Sequence, residues 1–127
     1  VIIYIGEEHK EYPLWTAAIK MQEELGAMNA WAFDVQLRCG TTIMAMKVAK
    51  SLMLADETIK TVLLAGGYRN CDFIDYQNER TRFMFNLAAG GGAIMLQKNW
   101  HENSVLEADL LTDGSFSEDV VVPVGGT

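Results

Sequence analysis

Short runs of apolar residues that do not alternate with polar ones constrain this fold more than any other feature of the sequence. They occupy residues 1–5, 30–35 and 61–65. A strand with one face in water alternates between apolar and polar residues, whereas a continuous apolar run is typical of a strand buried on both faces. The sequence therefore predicts a sheet covered by helices on both sides, which favours parallel strands.

Helical segments separate these runs. Residues 13–25 place apolar side chains at helical spacing, between Pro13, which can open a helix, and Gly26, which can end one. Residues 41–55 form a second, longer helical segment. The order β-α-β-α-β with short, right-handed connections predicts a parallel layer whose third strand is closed by Gly66 and Gly67.

The second helical segment is the most apolar part of the chain. Its strongly polar positions, Lys47, Lys50 and Ser51, lie on one narrow stripe, so we expect the helix to be almost wholly buried, with the stripe left for water or partner groups. The apolar stretch falls short of the roughly 20 residues that span a bilayer. A net charge of −7 repels phosphate backbones and anionic membrane surfaces. We therefore predict neither a membrane nor a nucleic acid as a partner.

The second half of the chain is predicted to be dominated by strands. Residues 83–85 and 93–96 have β character on either side of a glycine triplet at 90–92. A tight turn or a close approach of two backbones explains such a triplet. Residues 105–111 alternate in part between apolar and polar positions, and residues 120–122 are three valines.

The residues that could bind a metal or form a disulfide are few and scattered. Cys39 and Cys71 are the only cysteines, and isolated thiols fit a reducing cytoplasm better than a disulfide framework, although a single bridge between them stays open. His9 and His101 lie in polar stretches that predict surface imidazoles. Because no cluster shows ligand spacing, we predict no metal site.

Cys39 is the candidate nucleophile because of where it lies. It follows a predicted strand after a short spacer and directly precedes the helical segment 41–55. Backbone N–H groups and the positive end of a helix favour a thiolate there and can stabilise an oxyanion. Acyl transfer commonly begins with a nucleophile activated in this way. Spacing alone, however, favours a small buried cysteine beneath a helix start.

The segment AFDVQLRCG at residues 32–40 resembles the sequence around the nucleophilic cysteine of β-ketoacyl-acyl-carrier-protein synthase III, a condensing enzyme of the thiolase-like superfamily. The resemblance extends along nearly the whole chain. The further matching segments, in the same order as in the family, are residues 12–13, 24–27, 63–67, 90–93 and 112–116.

This resemblance implies an α/β, thiolase-like fold with mixed, mainly parallel sheet layers and a buried central helix after the nucleophile. In that fold two similar five-stranded layers pack with helices between them. Residues 1–127 would form a partial thiolase-like domain, covering most of the N-terminal half and the start of the C-terminal half. The strand-like start at Val1, without an initiator Met, is the reason for expecting a fragment.

The resemblance also implies an activity. Cys39 would take the acyl group of an acyl-CoA and hold it as a thioester until malonyl-acyl-carrier protein supplies the carbon nucleophile. No cofactor is implied, and the expected protein is a cytoplasmic homodimer of fatty-acid or related acyl-chain biosynthesis. The family completes the reaction with a His and an Asn from its C-terminal half, and neither His9 nor His101 matches those positions. Arg38, Gly91 and Gly92 are the weaker, substrate-binding candidates.

Two departures from the family pattern keep other functions open. Arg38 stands where the family generally has a small residue, and it could activate the thiol, obstruct the acyl tunnel or be an ordinary surface arginine. Ala88 and Ala89 stand where an acidic residue usually precedes the glycine-rich turn. The alternatives are hydroxymethylglutaryl-CoA-synthase-like chemistry on the same cysteine, or a non-catalytic thiolase-fold subunit or structural fragment that pairs with an active partner.

Overall fold

The computed structural model describes residues 1–6, 12–121 and 123. The strands are β1 (Ile2–Tyr4), β2 (Ala32–Asp34), β3 (Thr61–Arg69) and β4 (Ala89–Gln97). The α-helices are α1 (Ala17–Glu24) and α2 (Thr41–Ala55), and short 3-10 turns cover Arg38–Gly40, Asn70–Phe73, Glu79–Met84 and Gly114–Phe116. Within these described ranges, none of the helices has the length and apolarity of a membrane span.

The strands form one sheet in the order β2-β1-β3-β4. β1 runs parallel to both β2 and β3, which confirms the predicted β-α-β-α-β layer, and β4 returns antiparallel to β3. The connections that contain α1 and α2 run in opposite directions across the sheet. Right-handed crossovers therefore place the two helices on opposite faces.

The core confirms that the first apolar run is buried on both faces. Ile3 and Leu64 are fully buried in a cluster with Ala45 and Ala49 of α2. Ile2 is the neighbour of Ile3 along the strand, so its side chain points to the other face, and it is buried as well. A strand with no wet face has no position for a polar residue, which is why the run does not alternate.

α2 begins and ends where the sequence predicted, but the prediction that it is almost wholly buried is wrong for the part of the chain described here. Its buried residues, Thr41, Ala45, Ala49 and Met53, form a single row at intervals of four. Leu54, on another side of the helix, is 68% exposed. A single sheet covers only one side of a helix, and burial of the other sides requires a second layer.

The polar stripe of α2 binds a neighbouring segment of the same chain. The ammonium group of Lys47 donates to the carbonyl oxygen of Ala108 at 2.6 Å, and that of Lys50 donates to the carbonyl oxygen of Leu106 at 2.9 Å. These bonds hold an irregular, extended segment beside the helix. The predicted partner groups of this stripe therefore include backbone carbonyls, and Lys50 also pairs with the carboxylate of Glu107 at 3.4 Å.

The prediction of a strand-dominated second half is wrong over most of its length. Only β4 forms there, and residues 105–111 have no regular secondary structure among the described residues. Residues 83–84 belong to a 3-10 turn, with Phe85 as its C-cap. Partial alternation is not sufficient to form a strand without a neighbour that pairs with its backbone. Val122, in the valine run, lies outside the described residues.

Glycines extend β3 instead of closing it. Gly66 and Gly67 continue the strand and pair with β4, where Gly67 lies opposite Gly91. The glycine triplet is therefore not a turn, and the alternative explanation, a close backbone approach, is confirmed. A Cβ atom on Gly67 would lie 2.8 Å from the carbonyl oxygen of Gly90.

The start of α1 is set by a residue that is distant in sequence. The carboxylate of Asp34 accepts hydrogen bonds from the backbone N–H groups of Ala17, at 3.2 Å, and Ala18, at 2.9 Å. The helix therefore begins at Ala17, and the predicted start at Pro13, which lies in the preceding turn, is wrong. Gly26, with a φ of 62°, follows the helix end as predicted.

The Asp34→Ala variant is expected to lower the free energy of unfolding by about 1–2 kcal/mol, because two helix N–H groups lose their acceptor. Asp34→Asn, which keeps one carbonyl oxygen, should lose less. Urea denaturation of the natural polypeptide, followed by circular dichroism, measures both changes. Equal losses for the two variants would contradict this capping role.

Candidate active site

Cys39 lies in the 3-10 turn that joins β2 to α2. The turn spans Arg38–Gly40, and α2 begins at the next residue. The strand-to-helix location predicted for the candidate nucleophile is therefore confirmed. Cys39 is also exposed with a free thiol, so the alternative of a small buried cysteine beneath a helix start is wrong.

The turn around Cys39 is held by hydrogen bonds to the backbone of the two preceding residues. The hydroxyl of Thr41 donates to the carbonyl oxygen of Arg38 at 2.6 Å and accepts from the N–H of Leu37 at 2.8 Å. The N–H of Gly40 donates to the carbonyl oxygen of Leu37 at 3.0 Å. Sequence analysis did not single out Thr41, whose signal is a hydroxyl residue placed directly at a helix start.

The start of α2 beside Cys39 carries no acidic side chain. Cys39 precedes the first turn of this 15-residue helix. The N-cap, Gly40, adds no side-chain hydrogen bond of its own. The N–H groups at the start of a helix can donate to an oxyanion that forms beside them.

A cavity of about 420 Å³ lies between the start of α2 and the glycines of β3 and β4. Gly91 and Gly92 line it together with Thr42, which belongs to the first turn of α2. Among the residues that the structure describes, the lining includes neither Arg38 nor Cys39. The structure thus brings the two glycine candidates to the helix start without placing the sulfur in the same cavity. The other lining residues are Ile5, Gly66, Gly67, Tyr68, Asn86, Ala88, Ala89, Gly90, Ala93 and Ile94.

Arg38 has a left-handed backbone conformation with a φ of 49°. This conformation is uncommon for a residue that has a Cβ atom. The residue is exposed, as an ordinary surface arginine would be. Its effect on the thiol and on an acyl tunnel stays a prediction.

The remaining titratable candidates lie apart from this turn. Cys71 is free, so no bridge joins it to Cys39, and its thiol lies 3.9 Å from the carboxylate of Asp72. Hydrogen bonding to Asp72, and secondarily to Cys71, raises the pKa of Arg69. His101 is exposed as predicted, whereas His9 lies outside the described residues. Within the described residues no three potential metal-ligating side chains cluster.

Comparison with known proteins identifies relatives along the whole chain. Residues 33–114 match the family of 3-oxoacyl-[acyl-carrier-protein (ACP)] synthase III. The β-ketoacyl-[acyl-carrier-protein] synthase III of Chlorobium luteolum is 33% identical over 112 residues, which are 87% of this chain and 33% of that protein. The enzyme of the same name from Ehrlichia canis is 31% identical over 128 residues, which cover 100% of this chain and 38% of that protein.

Solved structures show the same fold. The 3-oxoacyl-(acyl carrier protein) synthase III of Pseudomonas aeruginosa PAO1 superposes with a TM-score of 0.80 at 22% identity, over 98% of this chain and 39% of the other. The synthase III of Aquifex aeolicus VF5 has a TM-score of 0.75 at 23% identity, over 91% of this chain and 36% of the other. The predicted thiolase-like α/β fold, of which this chain covers a part, is thereby confirmed.

The matches cover most of this chain but only part of each relative. The chain spans about a third of the length of the curated relatives that it matches. The matched range of the family covers more than half of this chain and contains Cys39, the helix α2 and the strands β3 and β4. The chain therefore belongs to the 3-oxoacyl-[acyl-carrier-protein] synthase III family.

Proposed function

We propose that this chain carries the nucleophile of a condensing acyltransferase and that Cys39 is the acyl acceptor. The observation that carries the proposal is the exposed, free thiol in the turn that opens α2, inside the range matched by the synthase III family. An acyl donor must reach the sulfur from solvent, and exposure permits that approach.

In the first step, the thiolate of Cys39 attacks the carbonyl carbon of an acyl-CoA thioester. The negative charge moves to the carbonyl oxygen in a tetrahedral intermediate, where backbone N–H groups at the helix start are suited to stabilise it. The C–S bond to CoA then breaks. CoA leaves as a thiolate and takes up a proton, and the acyl group stays on Cys39 as a new thioester.

In the second step, a malonyl thioester on the acyl carrier protein loses CO₂, and the electron pair of the broken C–C bond forms a carbanion stabilised as an enolate. That carbon attacks the acyl carbonyl on Cys39. A new C–C bond forms, the C–S bond breaks, and the thiolate of Cys39 is regenerated. The product is a β-ketoacyl thioester on the carrier protein.

We further propose that the protein works as a cytoplasmic homodimer on acyl-CoA and acyl carrier protein. The relatives are named for an acyl-carrier-protein substrate, which supports the second partner. β2 ends the sheet on one side, and the neighbouring Trp31 is 52% exposed, so this edge offers backbone groups and apolar surface to a second copy. Free thiols agree with a reducing compartment.

The natural polypeptide that carries this sequence is the material for the test. It is incubated with a small panel of acyl-CoA thioesters and analysed by intact-mass spectrometry. A mass increase of one acyl group is expected for the unaltered protein and for Cys71→Ser, the matched cysteine control. Cys39→Ser should remain unlabelled or label far more slowly.

The outcomes separate the proposed enzyme from its alternative. If the fastest donor labels the Cys39→Ser variant at the same rate as the unaltered protein, the acceptor is another residue. If no donor labels any of the proteins, the enzymatic proposal fails, and a non-catalytic thiolase-fold subunit takes its place.

A further inference from the structure

Thr41, the first residue of α2, lies two positions after the candidate nucleophile Cys39. It is only 4% exposed and is the buried polar residue in the described core. A buried hydroxyl must find hydrogen-bond partners to offset its lost hydration. The partners that Thr41 finds decide what its hydroxyl does.

Both partners lie in the two residues before Cys39. The hydroxyl donates to the carbonyl oxygen of Arg38 at 2.6 Å and accepts from the N–H of Leu37 at 2.8 Å. The backbone N–H of Thr41 also donates to the carbonyl oxygen of Arg38. The side chain therefore bonds backward to the turn, and the helix N-cap has no side-chain hydrogen bond.

These bonds act at a residue with an unfavourable backbone conformation. Arg38 has a φ of 49°, in the left-handed region that a side chain with a Cβ atom rarely adopts. Residues in such conformations persist only where their surroundings determine the conformation. The carbonyl oxygen of Arg38 accepts two hydrogen bonds from Thr41, and the N–H of Leu37 donates one to the Thr41 hydroxyl. These bonds meet that requirement.

We propose that Thr41 is a positioning residue for the Cys39 thiol. Its buried hydroxyl holds the left-handed turn at Arg38 and thereby sets the place of the sulfur at the N-terminal end of α2. Without the hydroxyl, Arg38 relaxes toward an ordinary conformation and the sulfur moves away from the helix end. This inference rests on the proposed role of Cys39 as nucleophile.

The test measures thiol reactivity, which needs no acyl donor. In a Cys71→Ser background, the rate of alkylation of Cys39 by iodoacetamide is followed between pH 5 and pH 10. Thr41→Val removes the hydroxyl while keeping the shape of the side chain. We expect it to slow alkylation near pH 7 about tenfold and to change the pH profile, because a displaced sulfur no longer lies at the start of α2.

Two companion variants serve as controls. Thr41→Ser keeps the hydroxyl and should restore the rate and the pH profile. Ser51→Ala removes an exposed hydroxyl that donates to the carbonyl oxygen of Lys47 in the same helix, and it should leave both unchanged. An unaltered pH profile in a folded Thr41→Val protein would overturn the proposal and leave Thr41 with a structural role only.

A variant at Arg38 keeps the test decisive if Thr41→Val folds poorly. Glycine adopts a positive φ readily, so in an Arg38→Gly protein the left-handed turn depends less on the Thr41 hydroxyl. Thr41→Val should therefore change the alkylation rate less in this background than in the unaltered one. An equal change in both backgrounds would contradict the proposed mechanism. Because alkylation and acyl labelling are independent readouts, failure here is distinguishable from failure of the condensing function.

Discussion

The Cys39→Ala variant is expected to lower kcat/KM for the proposed condensation by about 10⁴-fold or more, because loss of the proposed covalent nucleophile would remove both half-reactions at once. The assay follows release of CoA from the fastest acyl-CoA donor and formation of the β-ketoacyl product by the natural polypeptide. The rate that remains is expected to be that of direct acyl transfer between the two bound substrates, without a covalent intermediate on the protein.

Cys71→Ser is the matched control for that loss. Cys71 lies beyond β3, in the Asn70–Phe73 turn, and the side chains that contact its thiol are Arg69 and Asp72. Its replacement should leave kcat/KM within about twofold of the unaltered value, as is expected for a half-buried thiol outside the candidate site. A Cys39→Ala protein that remains folded and retains the unaltered rate would remove Cys39 from the mechanism.

The Gly67→Ala variant is expected to lower the free energy of unfolding by about 2–3 kcal/mol, since overpacking against a backbone cannot be relieved by rotating a side chain. Its Cβ atom would lie 2.8 Å from the carbonyl oxygen of Gly90 and 3.1 Å from the Cα atom of Gly91. The pairing between β3 and β4 must open locally to make room. Urea denaturation of the natural polypeptide measures the change.

Gly92→Ala is the control for this second prediction, because Gly92 lies in the same pair of strands, opposite Gly66. A Cβ atom at Gly92 would meet nothing within 4 Å. Alanine there restricts the unfolded chain and should change stability by no more than about 1 kcal/mol, in the stabilising direction. Equal destabilisation by the two substitutions would show that the close approach at Gly67 does not govern the pairing.

The two departures from the family pattern have different positions in the structure. Ala88 and Ala89, where the family usually has an acid, line the cavity beside the start of α2, which does not include Cys39. Arg38 instead forms part of the turn that carries Cys39. The Arg38→Gly background described above therefore tests its backbone contribution directly.

Local sequence patterns determined much of this fold. The apolar run at the start of the chain predicted a strand buried on both faces, and Ile2 and Ile3 are buried. The limits of α2 were predicted from its composition and helical spacing, and the place of Cys39 between a strand and that helix followed from them. These features depend on residues that are near one another in sequence, so an unbroken apolar run or a helical spacing of apolar residues reveals them.

Contacts between distant residues decided the rest. α1 begins at Ala17 because Asp34, in the next strand, binds its first N–H groups. β3 continues through Gly67 because β4 pairs with it, and a glycine pair read locally indicates an end. The turn at Cys39 is held by the hydroxyl of Thr41, whose burial no local pattern predicts. The sequence thus determined where the candidate nucleophile lies along the chain, whereas hydrogen bonds and close packing in the tertiary structure decided how it is held.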